Sequence, residues 1–234
     1  MISSLDIALK IRQRLNKADT QDDENLPIYV IVEAYNKGQL NIVNKLSSKN
    51  NTYKTGVEST IFRIDDLQCL INSELKTLST VKKSDHYLTE LLPDDYLRYI
   101  RTFCIGKVPN CNSKEIFIYL QEESNLNTLL RNEHTNPSFE WGETIGTIAG
   151  DNIKVFTLDK FEISKIFLTY LRRPRAIDIP GYLKQDGQPS SQIDPEMSDD
   201  IIEMCIDEAV RILSGDMQNQ FSNQISQQNL QMSE

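Results

Sequence analysis

The chain has 234 residues, enough for one large domain or one domain with arms, but only 39% of them are apolar, too few for a packed core over the whole length. Its formal charge of −9 argues against a dedicated nucleic-acid binder, which neutralises phosphates with Lys and Arg, while leaving room for DNA that passes without sticking. No apolar run approaches the roughly 20 residues of a membrane helix, and the stretch from Met1 to Asp6 lacks the basic start of a signal peptide.

In chain order, residues 3–16 predict a short amphipathic helix. Ser3 or Ser4 can cap it, and Leu5, Ala8, Leu9, Ile11 and Leu15 form its stripe. Residues 17–25 form a polar linker. Pro27 suits the first turn of a second helix, in which Ile28, Ile31, Val32, Tyr35, Ile42, Val43 and Leu46 recur at three- and four-residue steps and Gly38 is a weak spot. Residues 47–52 close this helical hairpin as a loop. Such a hairpin is too short to bury both faces alone.

From about residue 57 to 180 the texture changes. Residues 64–71 predict a short helix, and 75–81, 95–104 and 115–120 predict strands. Residues 122–132 predict another short helix. The clearest hairpin is 143–157, turning at Gly150, Asp151 and Asn152, with Ile153, Val155 and Thr157 alternating after it. A second turn at Leu158–Lys160 leads into the strand 161–171. There Ile166, Leu168 and Tyr170 share one face and Phe167 and Leu171 the other, which implies a central or covered strand.

Residues 178–194 read as loop. The last strong helix follows, with Ser198 as its cap, Asp199 and Asp200 at its positive end, and an apolar stripe of Ile202, Cys205, Ile206, Ala209, Val210 and Leu213. Beyond Gly215 the chain is rich in Gln, Asn and Ser. Two readings of this tail stay open: a frayed terminus, or an arm that orders on a neighbour through Met217, Phe221 and Ile225, spaced by four. The expected class is α+β: an N-terminal helical hairpin over 1–50, a body over 51–180 with a mostly antiparallel sheet of four to six strands, and a loop, long helix and arm over 181–234.

Reactive arrangements are sparse. The nine glycines form no phosphate-cradling loop, and there is no nucleophile elbow and no paired-His metal motif. Cys69, Cys104, Cys111 and Cys205 show neither zinc-ligand spacing nor a C-x-x-C pair, and read as thiols of a reducing compartment. His86 with Cys69 or Cys104, or His134 with Cys111, could make a Cys–His pair, and none has a local signature. The acidic pairs Asp22-Asp23, Asp65-Asp66, Asp94-Asp95, Glu122-Glu123 and Asp199-Asp200 read as solvated surface and helix-start charge. The one compact basic cluster is Arg172, Arg173 and Arg175 around Pro174. It either ends the strand and keeps an edge soluble, or touches DNA or an acidic partner.

Two stretches carry a resemblance. One runs from Asn152 to Thr157 and on through Phe161–Asp178, with Thr169-Tyr-Leu-Arg-Arg-Pro-Arg175 at the strand end. The other is Asp194–Leu213, a helix headed by Asp199 and Asp200. Together they resemble structural proteins of crAss-like and other Bacteroides-infecting tailed bacteriophages, nearest in kind to a ring protein stacked below the portal, a head–tail connector or adaptor. The resemblance spans about residues 140–215. It implies a virion protein at the head–tail interface, present in the host cytoplasm during assembly, that forms a ring of about twelve copies. The partners it implies are the portal protein, neighbouring tail ring proteins and genomic DNA passing through the bore without sequence-specific binding. It implies no membrane, no cofactor, no metal and no catalytic residue. An acidic bore would let the DNA slide. Other readings are a collar, tail-hub or ejected cargo protein, and a small intracellular enzyme with a Cys or carboxylate site.

Overall fold

A computed structural model describes residues 2–18, 26–47, 67–78, 82, 85–109, 111–184 and 187–216. The polar linker at 19–25 with its acidic pair, the loop at 48–52, Asp65-Asp66 and the tail beyond Asp216, including Met217, Phe221 and Ile225, lie outside these residues. The protein is α+β. It divides into two compact units. One comprises residues 1–70 and 174–234, and the other is the contiguous stretch Ile71–Arg173. The segments expected at the two ends of the chain thus belong to one unit, with the second unit inserted between them.

The helical unit contains α1 (Ser4–Ala18), α2 (Ile28–Ser47) and, after the insertion, a helix over Asp199–Asp216. Of the two choices for the cap of α1, Ser3 is the cap, and the buried Ser4 hydroxyl has no hydrogen-bond partner among the described residues. Ser3 Oγ accepts the Asp6 N–H (3.2 Å) while Asp6 accepts the Ser3 N–H (3.3 Å), a reciprocal cap. The Ser4 N–H donates to Asp194 Oδ1 (2.8 Å). The C-terminal helix is the hub, with α1 and α2 both packing on it. Ile31, Tyr35 and Val43 of α2 and Ile202, Cys205, Ile206 and Ala209 of the hub are buried. Gly38 sits against the backbone of the hub helix. A Cβ there would stand 3.2 Å from the backbone nitrogen of Ala209 and 3.2 Å from the backbone oxygen of Cys205. The weak spot in the sequence is thus a packing requirement.

The inserted unit is a curled sheet of seven strands: β1 (Ile71–Lys76), β2 (His86–Leu88), β3 (Tyr96–Lys107), β4 (Lys114–Leu120), β5 (Glu143–Ala149), β6 (Asn152–Phe156) and β7 (Glu162–Arg172). Their order is β1-β7-β3-β4-β5-β6-β2. Every pairing is antiparallel except β4 with β5, joined by a crossover that holds the short helix α3 (Leu126–Arg131). The two edges meet again at a bridge between Leu78 and Thr89, reinforced by the Glu90 N–H on the Thr77 carbonyl (3.0 Å). The curl is therefore nearly that of a closed barrel. The C-terminal hub helix is α4 in this order (Asp199–Asp216).

The barrel interior is filled by Cys104, Ile116, Ile118, Ile153, Val155, Ile166, Leu168 and Tyr170. The expected strand 161–171 is β7, and it is central, between β1 and β3. The hairpin 143–157 is β5–β6, with Gly150 at φ +63° in its two-residue loop. The sheet has seven strands where four to six were expected. Two short elements also differ. Of the helix expected at 64–71 only a single turn, Gln68–Leu70, is helical among the described residues, and the strand expected at 75–81 lies earlier, at 71–76. The cause is that β1 has no apolar alternation of its own. Asn72, Glu74 and Lys76 pair with Tyr170, Leu168 and Ile166, so they share β7's inner face. Lys76 is nearly buried there, donating to the Leu91 carbonyl (2.9 Å) and pairing with Glu74 (3.2 Å). The neighbouring Tyr170 hydroxyl donates to Asp95 (2.9 Å) and accepts from Asn72 (3.0 Å). Tertiary partners, not hydrophobic pattern, make this strand.

Candidate interaction surface

The structure places the basic cluster at the boundary of the two units. Arg172 ends β7 and Arg173 follows it in the barrel, its N–H donating to the Asp95 carbonyl (2.7 Å). Arg175 belongs to the helical unit: its N–H donates to Glu196 (2.8 Å) and its carbonyl accepts from Gln39 (3.3 Å). Arg173 and Arg175 are exposed and Arg172 is half-buried, so the backbone is fixed while two of the three guanidiniums face water. Pro174, lacking an N–H, stops strand pairing between them. Of the six residues singled out as partner contacts, these three are described, and Met217, Phe221 and Ile225 lie outside the described residues.

A second feature was not singled out from the sequence. On the outer face of the barrel, Leu75 of β1 is in register with Phe167 of β7, Phe167 with Phe103 of β3, and Phe103 with Phe117 of β4. This is one apolar row running straight across four strands. Phe103 and Phe167 stack at 4.8 Å with 14° between ring planes. The ends of the row stay open to solvent, with Leu75 50% and Phe117 51% exposed. Beside it the carbonyl of Gly142 accepts the Phe117 N–H (2.8 Å), which places next to the row a turn carrying Trp141, 81% exposed. Beyond β4, α3 covers the outer face: Leu126 packs on Ile145 and Phe156. The flanking positions are polar or mixed, with Ser73, Thr169 and Arg101 on one side and Lys165, Ile105 and Glu115 on the other. An apolar centre with a polar rim, rich in aromatics, is the composition of a protein–protein contact. The sequence signal was present: β4 and β7 are apolar on both faces, and only one face of each is inside the barrel.

Cys104 and Cys205 are wholly buried, and burial pushes both thiols up to about 12, the opposite direction from an activated nucleophile. His86 Nδ1 lies 2.6 Å from Asp85, and its ring packs on Phe156. No disulfide links the four cysteines. Among the described residues no group of His, Cys, Asp and Glu could hold a metal ion.

One carboxylate is strongly perturbed, for a structural reason. Asp178 closes the 178–193 loop by pairing its backbone with Ile193. Its Oδ1 accepts from the Ile179 N–H (2.9 Å) and the Tyr182 hydroxyl (2.7 Å), and its Oδ2 from the Ser191 N–H (3.0 Å) and Lys184 (2.8 Å). Burial alone would raise its pKa. The Lys184 ammonium, the Tyr182 hydroxyl and the two backbone N–H groups outweigh that and hold it at about 2. Burial, with the hydrogen bond to Asp178, pushes Tyr182 up to about 12.

No family model matches this chain, and no curated protein matches it.

Proposed function

We propose that this chain is a structural virion protein of a tailed bacteriophage, a subunit of an oligomeric ring in the head–tail connector below the portal. The observation that carries the reading is the exposed row Leu75–Phe167–Phe103–Phe117, because a contiguous apolar strip with a polar rim is what a repeated subunit contact uses. The resemblance over residues 152–178 and 194–213 supplies the kind of ring. In this reading copies of the chain, about twelve, surround the DNA exit channel, with the portal and other tail rings stacked above and below. The net charge of −9 favours a bore that repels phosphate, and Arg173 and Arg175 are exposed cations that an acidic partner surface could meet. No helix among the described residues is long and apolar enough to cross a membrane.

Native mass spectrometry tests the proposal, with negative-stain imaging of the same sample. The expected result is a closed ring whose mass is an integral multiple of 26.9 kDa. A strict monomer at tens of micromolar, unchanged by added portal protein, would refute it. A defined non-cyclic oligomer would favour the second reading, another component of the virion such as a collar, tail-hub or cargo protein.

A further inference from the structure

The apolar row on the barrel needs an occupant, and the chain carries a segment whose chemistry fits it. The row crosses three inter-strand gaps between Leu75 and Phe117, a span of about 14 Å at the usual strand spacing. Past Asp216, the last described residue of α4, lie the 18 residues 217–234. In them Met217, Phe221 and Ile225, followed by Leu230 and Met232, stand among Gln, Asn and Ser. The first three, spaced by four, would share one face of a helix over about 12 Å, close to the length of the row. An extended strand would spread them over about 26 Å and miss it.

The charges agree as well. The segment contains no Lys or Arg and a single acid, Glu234, while the positions flanking the row mix Arg101 and Lys165 with Glu115. A nearly neutral, amide-rich peptide suits a rim of mixed sign, where Gln and Asn side chains can hydrogen-bond to either charge.

We infer that residues 217–234 of one copy dock across the row Leu75–Phe167–Phe103–Phe117 of a neighbouring copy, with Met217, Phe221 and Ile225 as anchors. This rests on the ring reading, since each subunit then gives a tail on one side and accepts one on the other, the heterologous contact that closes a ring. Trp141, beside the Phe117 end, bounds the site.

The test uses the full chain with a photo-crosslinking benzoylphenylalanine at position 221, in an equal mixture of isotopically heavy and light protein. Heavy–light crosslinks can come only from two different copies. They are expected to map to peptides carrying Leu75, Phe103, Phe117 or Phe167. Two variants accompany it: a chain ending at Asp216, and Phe117→Ser, whose side chain is half exposed and whose loss leaves the barrel core intact. Each is expected to raise the concentration at which the oligomer dissociates by about tenfold or more, and the double variant no further, because both remove one contact. Circular dichroism confirms that the variants remain folded.

Crosslinks confined to one copy, or landing away from the row, overturn the inference. So does a truncated chain that assembles as well as the whole one. If Phe117→Ser abolishes assembly while truncation does not, the row is occupied by the body of a second copy and the tail assignment is wrong. A parent chain that is monomeric throughout removes the ring reading as well, which separates the two failures.

Discussion

Single residues in this protein show where local chemistry overrides pattern. Asp178 is the plainest case. Its folded pKa of about 2 lies below the ordinary 3.8, so it stabilises the fold at neutral pH, and that contribution disappears as pH falls from about 4 to about 2. Asp178→Asn is therefore expected to cost about 1–3 kcal/mol at pH 7 and close to nothing at pH 2, read from thermal melts at the two pH values. An equal loss at both would mean that the carboxylate charge is not what matters. Leu158 gives an effect of opposite sign. It and Asp159 turn between β6 and β7 with φ of +47° and +55°, a region a bulky side chain adopts at a cost. Leu158→Gly is expected to raise stability by about 0.5–1 kcal/mol in urea titration. The turn itself was legible at Leu158–Lys160, but its strain was not, since composition does not report φ. The Asp178 loop was legible only as a loop, because its organising bonds join residues 4 to 13 positions apart through side chains.

At the scale of elements, both amphipathic faces and turns could be read, and the failures share one cause. The two long N-terminal helices as elements, the α4 stripe and the β5–β6 hairpin follow from periodicity and glycine placement alone, but the face of α1 does not: Leu5 and Leu9, expected in its stripe, are 51% and 57% exposed, and Ile7 is buried beside Ala8, Ile11 and Leu15 instead. β1 could not be read that way, because its inner face is the polar Asn72, Glu74 and Lys76, of which Asn72 and Lys76 bond partners distant in sequence, Tyr170 and Leu91. β2 has only three residues, too few for any period. The apolar outer row was half visible: β7 was seen to be two-faced, but a covered strand and an exposed sticky one look alike in sequence. Gly38 marks a close contact between α2 and α4. Gly38→Val places branched carbon against the α4 backbone and is expected to cost about 1–3 kcal/mol by urea unfolding. Gly38→Ala should fall nearer zero, since its gain of about 1 kcal/mol in helix propensity opposes the crowding.

For the whole molecule the governing fact is insertion. The chain enters the barrel at β1 and leaves by β7, and these strands are hydrogen-bonded neighbours with Ile71 opposite Leu171. Its two ends are therefore side by side and its core is its own. Residues 71–173 expressed alone are expected to fold, showing a strand-rich circular dichroism spectrum and a dispersed amide NMR spectrum; a collapsed, unstructured fragment would show that the barrel depends on the rest of the chain. The same arrangement sets a timetable for synthesis. α2 leaves the ribosome with Ile31, Val32, Tyr35, Ile42 and Val43 facing a helix that does not yet exist. α4 is completed about 170 residues later, which at ordinary translation speed is on the order of ten to thirty seconds. During that interval the barrel can close by itself, while the N-terminal helices present bare apolar surface to solvent, the period in which this protein is most exposed to aggregation and to chaperone capture.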